Sequence, residues 1–259
     1  MHTHTLIKNW RRFSFDEYPY LYPPDKEYWD NILCDLGPRY RSFRKYIEND
    51  AFDQKEIGKF HFGLSPSPYE GNLAKAKIYI LLLNPGIHAV DYYVNNRANI
   101  RRLALKTIHQ KDIDREYPFT SLNPKNSWRR LYWFKKLSGI AQVIKQDRSW
   151  TYSEALQELS RSIAILQLVP YHSKTFNNNN LKRLKKLPSV QHVREYVHDI
   201  ILPKATKGRA VVIVTRAVDD WGLKNGRNIC IYEESQSRGA HIGPTSDAGK
   251  KILKMLLNK

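Results

Sequence analysis

The sequence predicts an α/β fold, three layers deep (α/β/α), around a central, mostly parallel four-stranded sheet. Two observations carry this expectation. Four short apolar runs, KIYILLL (77–83), SIAILQLV (162–169), AVVIVT (210–215) and NICIY (228–232), are bounded by turn residues and lack polar alternation. Strands covered on both faces read this way. Between the runs lie segments of helical pattern, about 97–111, 126–138, 152–161 and 189–204, and a last one closes the chain at 246–258. Strands alternating with helices imply right-handed crossovers, helices on both faces and ligands at the carboxyl ends of the strands. The loops that start at Asn84, Pro170, Thr215 and Glu233 then share one rim.

The 259 residues are enough to bury a full core and are expected to form one domain. Residues 1–65 read as an irregular and helical extension. Its aromatic and proline-rich start (YPYLYPP) is expected to drape over the domain, followed by helical patterns at about 25–35 and 40–48 with Gly37-Pro38 between them. The segment PSPYEGN (66–72) reads as loop, and 88–116 as an insertion. No apolar stretch approaches the roughly 20 residues that span a bilayer. The opening MHTHTLIKNWRRF lacks the apolar core of a secretory signal, so a cytoplasmic location is expected. Cys34 and Cys230 stand far apart without ligand spacing. They read as buried thiols in a reducing compartment, and neither metal nor organic cofactor is expected.

Charge narrows the partner. Lys and Arg total 43 against 25 Asp and Glu, a net charge of +18. An excess of that size favours polyanions through long-range attraction and counterion release. Without a lipidation motif or a long basic amphipathic helix, nucleic acid is a better partner than a membrane. Arg97, Arg101, Arg102 and Lys106 form a basic helical pattern, either a solvated face or a track for phosphates. NNNNLKRLKKL (177–187) reads as a mobile basic loop that grips a strand.

The sharpest local feature is LLLNPGIHA, where Asn84-Pro85-Gly86 follows a buried strand directly. Pro85 stops the strand, and Gly86 permits a tight turn or the close approach of a ligand. Asn84 offers an amide to the rim, although Asn-Pro-Gly is also ordinary turn chemistry. Three further stretches belong with it: YPFTSLNPKNSWRRLYWFKKLSG (117–139), LQLVPYHS (166–173) and YEESQSRGAHIGPTSDAGKKIL (232–253). With PSPYEGNLAKAKIYILLLNPG, they resemble the uracil-DNA glycosylase superfamily, closest to its mismatch-specific branch with an Asn-Pro-Gly motif.

The resemblance implies roles for particular residues. Asn84 is the catalytic candidate, orienting water with its side-chain oxygen. Pro85, Gly86, Phe119, Gln167 and Tyr171 would bind the base, with Phe119 as the stacking plate and Gln167 reading the hydrogen-bonding edge. His172 is expected to be a surface or supporting histidine. Asn126, Arg216, Gln236, Ser237, Arg238 and His241 would contact DNA. The last loop departs from the family pattern, with Tyr232, Glu233 and Glu234 at its start and Gln236 where an apolar wedge is usual. A non-uracil base is therefore favoured.

The implied activity is base flipping followed by hydrolysis of the N-glycosidic bond. The substrate would be a damaged base, as in repair, or a hypermodified base in viral DNA, as in antiviral defence, in single- or double-stranded DNA and with the protein a monomer. An amide does not ionise, so Asp91, Glu233 or Glu234 would have to supply any carboxylate. The competing reading is a non-catalytic nucleic-acid-binding module on the same fold. A nuclease is disfavoured by the lack of a Walker-type glycine loop, a GxGxxG and clustered carboxylates.

Overall fold

Five short strands form one sheet, four of them rich in β-branched and leucine side chains: β1 (Tyr69–Glu70), β2 (Ile78–Leu82), β3 (Ile163–Gln167), β4 (Val211–Val214) and β5 (Ile229–Ile231). They appear in a computed structural model that describes residues 3–38, 40–48, 58–126, 130–233 and 242–257. The strand order is β1-β3-β2-β4-β5. β2 runs parallel to β4, with Ile78 opposite Val211 and Leu81 opposite Val214, and β4 runs parallel to β5, with Val214 opposite Ile231. The four expected strands are present and a fifth is added. β1 sits inside the segment read as loop, because two residues are too few to show any periodicity.

The order has a functional consequence. From β2 the chain moves to β3 on one side, and it then returns to place β4 on the other. The direction of winding thus reverses between β2 and β4. Carboxyl ends at such a reversal are where open α/β sheets form ligand crevices.

The helices in chain order are α1 (Thr5–Trp10), α2 (Phe43–Ile47), α3 (Ala89–Asn95), α4 (Ala98–His109), α5 (Arg130–Arg148) and α6 (Tyr152–Ser162). They continue with α7 (Asn178–Leu184), α8 (Pro188–Tyr196), α9 (Leu202–Thr206), α10 (Val218–Trp221) and α11 (Asp247–Leu257). α6 starts on a capping box, with Thr151 and Glu154 satisfying each other's backbone N–H groups. α5 runs well beyond the expected 138. Inside it, a Cβ at position 139 would lie 2.8 Å from Pro244, so Gly139 serves close packing. α7 replaces the expected mobile basic loop, with the Asn177 side chain accepting from the Asn179 backbone N–H at its start. Among the described residues, no helix is long and apolar enough to cross a membrane.

The chain divides into two compact units interleaved in sequence. One comprises Glu70–Leu82, Asp112–Leu166 and Val197–Lys259 and carries most of the sheet. Its core joins Ile78, Ile80, Ile165 and Ile213 to Phe119, Leu137, Leu159 and Ile252. The other comprises Met1–Tyr69, Leu83–Lys111 and Gln167–Tyr196. Its interior is largely aromatic: Trp10, Tyr22, Phe60, Phe62 and Tyr171 are all fully buried. Trp10 meets Tyr22 at 4.6 Å between ring centres, and Phe62 meets Tyr171 edge-on at 5.2 Å. Edge-on rings gain beyond the area they bury. The N-terminal segment therefore builds a core where draped, irregular chain was expected.

Candidate functional site

In the aromatic unit, two segments are laced together. Val169 N–H donates to Leu83 O (2.8 Å) and Ser173 N–H to Pro85 O (3.1 Å). This lacing presents the side chain of Asn84, which is half-buried. Its Nδ2 lies 2.8 Å from Ser173 Oγ, 3.0 Å from Pro85 O and 3.2 Å from Tyr171 O. Carbonyl oxygens only accept, so the nitrogen must face them and the orientation of the amide is fixed. Oδ1 is turned the other way, and among the described residues nothing donates to it. Asn84 thus offers a held, outward-facing acceptor. Beside it Gly86 is exposed, and a Cβ built there would meet nothing within 4 Å, so the space next to the loop is open.

His172 clamps the same loop. Its Nδ1 lies 2.7 Å from Gly86 O and its Nε2 3.1 Å from Ser65 O. A neutral imidazole has one N–H, so both carbonyls are served together only by the imidazolium. The supporting role expected for this histidine takes the form of a tie between the Asn-Pro-Gly turn and the segment at Ser65.

Gln167 is 6% exposed, and its backbone N–H donates to Pro68 O. Its Oε1 is buried without a hydrogen-bond partner among the described residues. A buried acceptor left unmade costs about 1–3 kcal/mol, so such a group calls for a donor. Like Asn84, it carries a carboxamide oxygen to which no group among the described residues donates.

Two expected base-binding rings are placed otherwise. Phe119 is 0% exposed in the core of the sheet unit, edge-on to Trp133 at 5.3 Å, and so presents no face to a base. Tyr171 is buried in the aromatic unit. Its hydroxyl donates to Asp25 Oδ2 at 2.6 Å and accepts from Tyr22 N–H at 3.2 Å, a structural role that leaves no face for stacking. The identity of an aromatic residue does not by itself distinguish a wall from an interior. Pro85 is buried, and its carbonyl serves as an acceptor for Asn84 and Ser173.

The DNA-contacting candidates divide as well. Arg216 is exposed directly after β4. Asn126 is half-buried and donates from Nδ2 to Thr120 O, closing its own turn. Gln236, Ser237, Arg238 and His241 lie outside the described residues, as does Glu234. Glu233 is exposed, and Asp91 accepts from His88 N–H at the start of α3. Arg101 is committed internally, donating to Asn95 O, Tyr20 Oη and Asn96 Oδ1 and lying over the Phe15 ring. Arg102 and Lys106 remain exposed. Cys230 is buried, whereas Cys34 is only partly covered, contrary to expectation; both are free thiols.

Two buried carboxylates were missed. Glu70, in the segment read as loop, accepts from Thr120 Oγ1 (2.6 Å), Ser121 N–H (2.7 Å) and Ser121 Oγ (2.8 Å), pinning the turn after Phe119. Asp25 is fully buried, and burial pushes its pKa up to about 6 against the hydrogen bonds from Ser189 and Tyr171. Neither sits in a pattern that a linear reading separates from surface acid. Among the described residues, no group of His, Cys, Asp or Glu is placed to hold a metal ion. Set against protein-family models, curated proteins and solved structures, the chain matches none.

Proposed function

We propose that this protein binds DNA and hydrolyses the N-glycosidic bond of an altered base, with Asn84 orienting the attacking water. The observation that carries this reading is the pair of unsatisfied carboxamide oxygens on the laced segments. Among the described residues nothing donates to Oδ1 of half-buried Asn84, next to which Gly86 borders open space, and Oε1 of Gln167 is buried without a donor. An outward acceptor on a fixed amide suits a water molecule. A buried acceptor suits an imino or amino group on the edge of a base. The net charge of +18 supports the polyanionic partner.

The chemistry asked of the protein is modest. Charge builds on the sugar as the bond breaks; the base departs with the bonding electron pair, water adds at the anomeric carbon, and the proton it loses passes through solvent to the departed base. Asn84 aligns that water without taking its proton, so the reaction needs a good leaving base. His172 holds the loop that carries Asn84 and brings positive charge close to it when doubly protonated. Such a charge would favour a departing anionic base.

The decisive experiment is product analysis on DNA carrying uracil, mismatched thymine and a range of modified bases, followed by alkali to reveal abasic sites. Excision of one base, lost in Asn84→Ala while DNA binding persists, is the expected result. The burial of Phe119 and Tyr171 favours a second reading, a nucleic-acid-binding module without turnover. That reading predicts no abasic product from any substrate and unchanged binding in Asn84→Ala.

A further inference from the structure

In the aromatic unit, α3 follows the Asn-Pro-Gly turn after only Ile87 and His88. It leaves two large apolar side chains in solvent, Val90 and Tyr93, three residues apart and so on one face. Tyr93 is 52% exposed, yet its ring is held in place. Phe43, half-buried on α2, meets it edge-on at 5.7 Å and packs in turn on the core of Tyr46, Leu64, Ile87 and Tyr92. Arg97 lies over the ring, its guanidinium carbon 4.7 Å from the ring centre. The backbone delivers Arg97 to that place. Its N–H donates to Val94 O at the end of α3, and its carbonyl accepts from Ile100 and Arg101 N–H at the start of α4.

α4 extends this surface with charge. Its sequence, ANIRRLALKTIH, contains no acidic residue. Arg101 is committed inward, whereas Arg102 and Lys106 are exposed and one turn apart on one face. The one acid of α3, Asp91, is engaged by His88 N–H at the start of that helix. From Arg97 to Lys106 the helix rises about 13 Å, the length of about four stacked nucleotides. A solvated basic helix needs no ring beside it, and a lipid headgroup or an acidic peptide would use the cations alone. Bases, by contrast, stack on tyrosine rings and on guanidinium planes alike. A ring already backed by Phe43 loses little freedom when something flat lies against it.

We propose that the outer face of α3 and α4 binds a single DNA strand, with a base stacked at the Tyr93–Arg97 pair and adjoining phosphates held by Arg102 and Lys106. The inference rests on the nucleic-acid reading above and is independent of whether the protein cleaves a glycosidic bond. Because the face follows directly on the Asn-Pro-Gly turn, it suits the nucleotides that flank the one bound there.

The test is fluorescence anisotropy of the full chain with a labelled oligothymidine and with an abasic strand of the same length, each over a range of salt. Base–aromatic stacking of about 1–3 kcal/mol sets the expected loss for Tyr93→Ala at about 5- to 150-fold on oligothymidine. Tyr93→Leu keeps an apolar side chain against Phe43 and should lose affinity in the same way, while Tyr93→Phe should retain it. The abasic strand should not sense any of the three. Arg102→Gln and Lys106→Gln should each lower the slope of log affinity against log salt by about 0.7. Lys254→Gln, which removes an exposed cation of α11 in the other unit, should leave the slope unchanged. Equal losses on both strands for Tyr93→Ala and Tyr93→Leu would overturn the stacking assignment. An equal fall in slope for Lys254→Gln would show that net charge alone binds the strand, and would overturn the face. So would parental affinity and slope in every variant of Tyr93, Arg102 and Lys106, with the nucleic-acid reading left standing. No binding of either strand by the parent at low salt would overturn both, and capture by phosphatidylserine vesicles instead would assign the cations to a membrane surface. Melting curves check that each variant is folded, as the exposure of the substituted side chains leads one to expect.

Discussion

Asn84 Nδ2 and Ser173 Oγ lie 2.8 Å apart, and this contact, with those to Pro85 O and Tyr171 O, fixes which end of the Asn84 amide faces out. Ser173 is dispensable for that orientation, because two carbonyls already demand the two N–H groups. Ser173→Ala should therefore cost about 1 kcal/mol of stability, one ordinary hydrogen bond, and reduce any excision activity by less than about tenfold. Asn84→Asp is different. Its carboxylate would set oxygen against both carbonyls, a loss of about 1–3 kcal/mol or more. Denaturant melts of the two variants should separate by that margin, and equal stabilities would show that the carbonyls do not set the orientation.

Phe119 gives a sharper separation of roles. As a core ring against Trp133, Leu122 and Leu137 it should behave as packing, so Phe119→Ala should destabilise by about 3–5 kcal/mol. Phe119→Leu should keep most of that stability. A stacking plate exposed to a base would give the opposite pattern: near-native melting in Phe119→Ala with a large loss of DNA affinity.

These two residues also mark how far the sequence could be read. The strand after which Asn84 stands was legible because a run such as IYILL has no polar interruption, and the Asn-Pro-Gly turn follows it without a gap. The position of Phe119 was not, because a ring in the interior and a ring at the mouth of a pocket have the same local pattern. Only the partners Trp133 and Ser160, brought from far along the chain, decide between them. Glu70 was hidden for the same reason, since donors to its carboxylate belong to Thr120 and Ser121. Tyr93 was passed over inside the insertion, where nothing local marks which of the adjacent rings Tyr92 and Tyr93 stays exposed.

Tyr171 should prove structural. Its hydroxyl links Tyr22 N–H to the buried carboxylate of Asp25. Tyr171→Phe keeps the ring against Phe62 but leaves Asp25 with one donor fewer, at a cost of about 1–3 kcal/mol. Thermal denaturation should show this loss while oligonucleotide affinity stays within about twofold. A selective loss of affinity with native stability would restore a base-binding role to this residue.

The pH dependence of stability should carry opposed contributions from two buried groups of the aromatic unit. Burial raises the Asp25 pKa from 3.8 to about 6, so the folded protein holds this proton more tightly than the unfolded chain. Its contribution is fully present below pH 3.8 and is lost as the pH rises through about 6. Burial lowers the His61 pKa from 6.5 to about 3, with His172 and Lys174 adding to the effect. Stability from His61 is present above pH 6.5 and is lost as the pH falls towards 3. Between about pH 4 and 6 the two slopes offset each other. Asp25→Asn removes one of them with little change of shape, since the amide oxygen can accept from Ser189 N–H while its nitrogen donates to Tyr171 Oη. The variant should gain stability relative to the parent as the pH rises from 4 to 7, by an amount on the order of 3 kcal/mol. Its melting temperature should climb more steeply over that range. Parallel profiles for variant and parent would mean that Asp25 titrates normally in the fold, and that its burial carries no electrostatic cost.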